Sequence, residues 1–247
     1  MKSLIKLTQT ESKLLMRNFM SIFFTLAFPT LMLFIFGGIY KNNPSNLFHG
    51  KGMVDVFVPA LTGLIIAVTG IMSLPLAVTS YRERKILKRF MATPIGAASV
   101  LLSQIIVNFA LTVVGMIILV IMGWLIFQLH FPSNLIPVMI AFVISVISIF
   151  SLGLMVTSLA PNTRAANAAS NLVYFPMLFL SGATFPIELL PKPMIVISKF
   201  VPLTYVVDLL KGAWLGGNLL DYKLDLTVLV SIAIVATIVS VIAFKWE

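Results

Sequence analysis

Apolar residues in this chain run in long unbroken stretches instead of alternating or recurring on one helical face. Six stretches reach the ~20 residues a helix needs to cross a bilayer. They are Ser21 to Tyr40, Val54 to Ser80, Ala97 to Phe127, Leu135 to Leu159, Ala165 to Gly182 and Leu224 to Phe244. The second and third exceed the membrane's thickness and are expected to tilt, kink or project beyond it. Strands of a membrane barrel would alternate apolar and polar positions, so the pattern predicts helices.

Two segments are periodic instead. In residues 1–20, Lys2, Lys6, Gln9, Lys13 and Arg17 share one stripe, with Leu4, Leu7, Leu14, Leu15 and Phe19 opposite. This predicts an amphipathic helix lying at the membrane surface, apolar side down. Glu11 falls within the apolar arc, where its expected mate is a cation from the next basic loop. In that loop, residues 81–94, Ile86, Leu87, Phe90 and Met91 share a helical face and Pro94 should end the helix. A short helix with an apolar and a basic face suits docking into a groove on another protein. The plainer reading is an ordinary positively charged loop.

Residues 183–223 hold Pro186, Pro191, Pro193 and Pro202 between apolar runs, with Lys199, Asp208 and Lys211. Short helices dipping into the membrane's outer face are expected, not a seventh span. No soluble domain or internal repeat is visible, so 1–247 reads as a single membrane domain.

Composition agrees. Hydrophobic residues make up 60%, charged residues 10%, and mean hydropathy is +1.07. A soluble chain of this size could not bury that much apolar surface. The formal charge of +9 follows membrane topology. With a cytoplasmic N-terminus, Lys2, Lys6, Lys13, Arg17, Arg82, Arg84, Lys85, Lys88, Arg89, Arg164 and Lys245 lie inside. Only Lys41, Lys51, Lys192, Lys199, Lys211 and Lys223 lie outside, and every Arg is inside. The C-terminus is then also cytoplasmic, and no nucleic-acid surface is needed. Tyr40, Tyr81, Trp124, Tyr222 and Trp246 stand near span ends, as interfacial aromatics do. The first span is expected to be retained, not cleaved as a signal peptide.

Candidate chemistry is sparse. There is no cysteine, and no GxxxxGK[ST] run to cradle phosphates; Gly50-Lys51 is only a fragment. His49 and His130 read as solvated loop residues. The spans are read as free of Asp, Glu, Lys and Arg, which argues against an ion-coupled carrier or channel and an intramembrane enzyme. Ser145, Ser148 and Ser151 read as a helix-contact stripe; Asn108 and Asn171 could line a pathway. Pro176 should kink the fifth span, amid Phe175, Met177, Phe179 and Phe185.

Glu83-Arg84, Leu87 and Ala92-Thr93-Pro94 resemble the coupling-helix segment of ABC-2 type transporter permeases. So does Ser181 to Pro191, followed by Pro202-Leu203-Thr204-Tyr205 and Asp208. One departure is that many family members have Gly about where Lys85 stands. The resemblance implies an all-α half-size permease, paired as a homodimer or heterodimer with a second permease, above separate ABC ATPase subunits that hold ATP and Mg. No cofactor would then sit in this chain. It implies an ATPase contact at Glu83, Arg84, Ile86, Leu87, Phe90 and Met91, and an outer gate from Phe185 through Glu188 and Tyr205 to Asp208. The expected function is export of a drug, antibiotic or antimicrobial peptide, with a lipid-linked glycan as the alternative.

Overall fold

A computed structural model describes residues 2–44, 50–91, 96–185, 187 and 190–244. Glu188, His49, Pro94 and Trp246 lie outside these, as do the side chains of Lys2 and Met91. Among the described residues the regular structure is helical, save an isolated bridge residue at Lys51.

Helix α1 (Lys2–Met16) leads into the first crossing, built from α2 (Phe19–Ile22), a π turn (Phe23–Ala27) and α3 (Phe28–Tyr40). The second crossing repeats this plan with α4 (Met53–Ala67), a π segment (Val68–Ser73) and α5 (Leu74–Glu83). Each π segment ends just before a proline, Pro29 or Pro75. A proline lacks its N–H and crowds the carbonyl one turn back, and a widened turn relieves both faults. Short α6 (Ile86–Met91) follows, then α7 (Gly96–Phe127), α8 (Leu135–Leu159) and α9 (Thr163–Leu180). Helices α10 (Lys192–Ser198) and α11 (Pro202–Trp214) precede α12 (Lys223–Ala243).

The second crossing is the centre. Almost every side chain of α4 is buried, against α3, α7, α8 and α11. Close approach of α8 places Gly153 against the carbonyl of Gly70. The serine stripe also serves packing: Ser145 and Ser148 are fully buried, and Ser151 accepts a hydrogen bond from Thr237 of α12 at 3.2 Å.

Among the described residues five helices are long and apolar enough to cross a membrane, and the pair α10–α11, bent by 92°, makes a sixth if taken as one stretch. The predicted fifth span is helical, as α9, but is not among them. Its first half carries Arg164, Asn167, Ser170 and Asn171, which lower its hydropathy. The chain still uses α9 to travel from one end of the bundle to the other.

Helix α1 departs from the expected surface anchor. Lys6, Lys13 and Arg17 are exposed as predicted, but Leu4, Leu7 and Leu15 are partly covered, and the helix packs on α7. Leu14 and Phe19 remain exposed. The apolar arc is thus shared between the protein's own bundle and the outside.

Two acidic residues stand within the predicted spans, contrary to the reading that the spans hold none. Asp55 and Asp225 occupy the first turns of α4 and α12. A carboxylate is tolerated there because it lies at a span end and at the positive pole of the helix.

Candidate functional site

The basic ends of the crossings converge on the last turn of α5. Three consecutive residues, Tyr81, Arg82 and Glu83, each hold a different helix. The Tyr81 hydroxyl donates to the Glu11 carboxylate at 2.7 Å, fixing α1. Gln104 of α7 donates to the same carboxylate at 2.6 Å. Glu11 is only 7% exposed. It is held by a phenol and an amide instead of the loop cation expected from sequence: Arg84, Lys85, Lys88 and Arg89 are exposed, and Arg82 turns to the end of α8.

Arg82 is 8% exposed and lies over the C-terminus of α8. Its guanidinium donates to the carbonyls of Thr157, at 3.3 Å, and Ala160. Those carbonyls have no partner within the helix and carry its negative pole. Glu83 meets the opposite pole: its carboxylate accepts from the main-chain N–H of Thr163, the first residue of α9, at 3.1 Å. Asn162 completes that cap by accepting from the N–H of Ala165 at 2.8 Å.

Beyond Glu83 the chain turns sharply. Lys85 has φ +56°, in the left-handed region, and donates its N–H to the Arg82 carbonyl at 2.9 Å. Gly adopts such a φ without strain, so glycine would fit at this position more easily than lysine. Helix α6 then starts at Ile86.

The apolar face of α6 points into the protein, not outward. Leu87 is fully buried against Val100, with Leu7, Tyr81, Phe90 and Phe244 around them. Leu87 is therefore taken up inside the chain, whereas Phe90 is half-buried at the edge of that cluster. Apolar groups are covered by the nearest apolar surface, here α1, α7 and the end of α12. Ile86 is half-buried, and what the segment leaves exposed is Glu83, Arg84, Lys85, Lys88 and Arg89.

Beside this hub lies a cleft of about 520 Å³. The link between α1 and α2 contributes Asn18, span one Ser21, span two Ser73 and Ser80, and α9 Thr163, Arg164 and Asn167. From it the open face of α9 climbs away: Arg164, Asn167, Phe175, Pro176 and Phe179 are exposed and Asn171 is half-buried. Asn171 donates to Asn167 at 3.2 Å along this face. The helix continues through Pro176 to Leu180. Asn108, expected on the pathway, is instead 1% exposed inside the bundle. It donates to the Gln104 carbonyl at 2.9 Å, one turn below a Thr112–Thr69 contact at 2.8 Å. The amide thus bonds within its own helix, on the side turned to the bundle and away from lipid.

At the far end, Phe185 is exposed, its ring 6.2 Å from that of Phe36. Tyr205 bridges the α10–α11 bend by donating to the Lys199 carbonyl at 2.6 Å, and Asp208 is half-buried on α11. Sequence reasoning missed a second polar knot there. The Asp55 carboxylate accepts from Asn42 at 3.0 Å and from the main chain of His130 at 2.9 Å, and its other oxygen lies 2.9 Å from His130 Nδ1. Trp214 donates to the His130 carbonyl at 3.2 Å. His130 is solvent-exposed as expected but is engaged by Asp55. No cluster of three or more His, Cys, Asp or Glu occurs among the described residues.

A multi-pass helical membrane protein with a short helix pinned beneath its second crossing has the form of a transporter's membrane subunit. The chain belongs to the ABC-2 type transporter family, whose model matches residues 2–215. Nodulation protein J of Rhizobium leguminosarum bv. viciae is 40% identical over 90 residues, 36% of this chain and 35% of that protein. The probable multidrug ABC transporter permease YbhS of Escherichia coli is 24% identical over 163 residues, 66% of this chain and 43% of the relative. The putative transport permease ycf38 of Porphyra purpurea is 28% identical over 184 residues, 73% of this chain and 62% of the relative. The matches therefore span from about a third to three-fifths of the relatives' lengths.

Proposed function

We propose that this chain is the permease of an ATP-driven exporter of amphipathic compounds. The basic end is cytoplasmic, because Lys and Arg concentrate there. A separate ABC ATPase subunit docks on it and binds ATP and Mg. The observation that carries the reading is the seating of α6. Leu87 anchors it to the bundle, so its charged outer face reports motion of a partner directly to the crossings. The partner would meet Arg84, Lys85 and Arg89, while the Glu83 carboxylate is taken up by the Thr163 N–H.

Transport then follows from differential binding. ATP-driven closure of the partner favours one arrangement of two permease copies over another. A second permease copy, identical or related, covers the open face of α9. Cargo enters with its polar group in the cleft beside Arg164, Ser21 and Asn167, and its apolar part along Phe175 and Phe179. Drugs, antibiotics and antimicrobial peptides are of this kind. The hydroxyl- and amide-rich cleft wall supports a second reading, a lipid-linked glycan.

The test is reconstitution with the candidate ATPase in vesicles. Hydrolysis stimulated by amphipathic drugs and their accumulation on one side are expected. Stimulation by glycolipids alone selects the second reading. Uphill transport by this chain with no ATPase overturns both.

A further inference from the structure

We infer that Arg82 and Glu83 are positioning residues that lock the α8–α9 corner to α6, so that α6 and the start of α9 move as one body. The mechanical half of this rests on the reading of α6 as the partner's contact; the lock itself does not.

The corner between α8 and α9 is only Ala160, Pro161 and Asn162. Two helix ends of opposite polarity meet there, and two adjacent side chains of opposite charge meet them. Arg82 takes the negative end of α8 and Glu83 the positive end of α9. With the two charges exchanged, each would face the pole that repels it. Arg82 also accepts, at its own carbonyl, the N–H of Lys85, where the turn into α6 begins. Leu87 then fixes α6 two residues further on. A displacement of α6 is thus delivered to the foot of α9 through a few bonds, without passing through the bundle core. Helix α9 is the one whose open face carries Asn167, Phe175 and Phe179, so the lock connects the partner's contact to the proposed cargo route.

The chain has no cysteine, so Arg89→Cys and Ala168→Cys can be spin-labelled without background. Distances are measured on the full chain in lipid nanodiscs. A single narrow distribution is expected. Glu83→Ala should broaden it roughly twofold as the corner opens locally. Glu83→Gln, which keeps a carbonyl acceptor for the Thr163 N–H, should restore it. Arg82→Gln should broaden it as well. Thermal unfolding of the same proteins separates loosening of one corner from loss of the whole fold: Glu83 is exposed, so its variants should melt near the parent temperature. A distribution unchanged in Glu83→Ala overturns the lock.

A second measurement addresses transmission. In the complex with the ATPase, a single label at Ala168 should change mobility when nucleotide is trapped, and Glu83→Ala should abolish that change while the ATPase stays bound. An unchanged response in Glu83→Ala refutes transmission through this corner. If the parent chain binds no ATPase, the proposed function fails, and the distance measurement alone decides the lock.

Discussion

Leu87, in the helix between the second and third crossings, is packed against Val100 at the start of α7, and both side chains are fully buried. That contact decides how the helix faces its surroundings. An amphipathic segment can spend its apolar face only once, and here the bundle takes it.

Substitutions on the two faces should therefore separate. Leu87→Ala should lower the stability of the permease by about 2–5 kcal/mol, and Leu87→Asp by more, through a cavity or a buried charge. Arg84→Glu with Arg89→Glu should leave stability within about 0.5 kcal/mol, since both are exposed. The double charge reversal should nonetheless abolish co-purification with the ATPase. Melting curves and pull-downs on the same preparations check both; loss of binding only in the Leu87 variants would put the partner on the wrong face.

Lys85 offers a test in the opposite direction. A non-glycine residue in the left-handed region costs roughly 1–2 kcal/mol, and its φ is +56°. Lys85→Gly should stabilise the protein by up to about 1 kcal/mol after the entropy of the more flexible unfolded chain is counted. Lys85→Val, branched at Cβ, should destabilise it. Thermal midpoints in one detergent suffice, and a lower midpoint for the glycine variant would mean that the lysine side chain holds something of its own.

Glu11 and Tyr81 join α1 to the second crossing, with Gln104 as the third member. Tyr81→Phe removes one donor and should cost about 1–2 kcal/mol; Glu11→Ala leaves the buried Gln104 amide and the half-buried Tyr81 hydroxyl unpaired and should cost about 2–4 kcal/mol. Because the two side chains share one bond, the double variant should cost less than the sum. A double-mutant cycle by chemical or thermal unfolding measures this coupling, expected at 0.5 kcal/mol or more. Strict additivity would mean that the bond is not formed in the membrane.

The crossings were legible because length and apolarity are properties of a segment by itself. Residues 135–159 are the same in pattern and in structure. The apolar face of α6 was legible too, but not its direction. Periodicity reports that Leu87 and Phe90 share a side, and says nothing of whether α7 or another protein covers them. Glu11 failed for a related reason: its position in an apolar arc signalled burial correctly, while its partners, Tyr81 and Gln104, lie far away in sequence. Arg82 is the clearest omission. In a loop crowded with cations, nothing local distinguishes the one that turns inward to cap α8. Its neighbour Glu83, an acid amid bases, was the available hint that this turn meets helix ends of both polarities.

The contact between Gly70 and Gly153 gives the sharpest steric prediction. A Cβ on Gly153 would overlap the carbonyl oxygen of Gly70, and a Cβ on Gly70 would stand 2.9 Å from Ile149 and Phe150 side-chain atoms. Gly70 lies in the π segment, where the backbone already departs from the regular ladder. The clash at Gly153 is with main chain, which cannot swing aside as a side chain does. Gly153→Ala should therefore force α8 away from the central crossing and cost about 3 kcal/mol or more. Gly38→Ala is the control: nothing lies within 4 Å of its Cβ, and alanine favours helix there by up to about 1 kcal/mol. The measurement is the folded fraction by detergent-resistant gel filtration and the thermal midpoint. Equal stability of the two variants would show that α8 and the second crossing do not approach this closely.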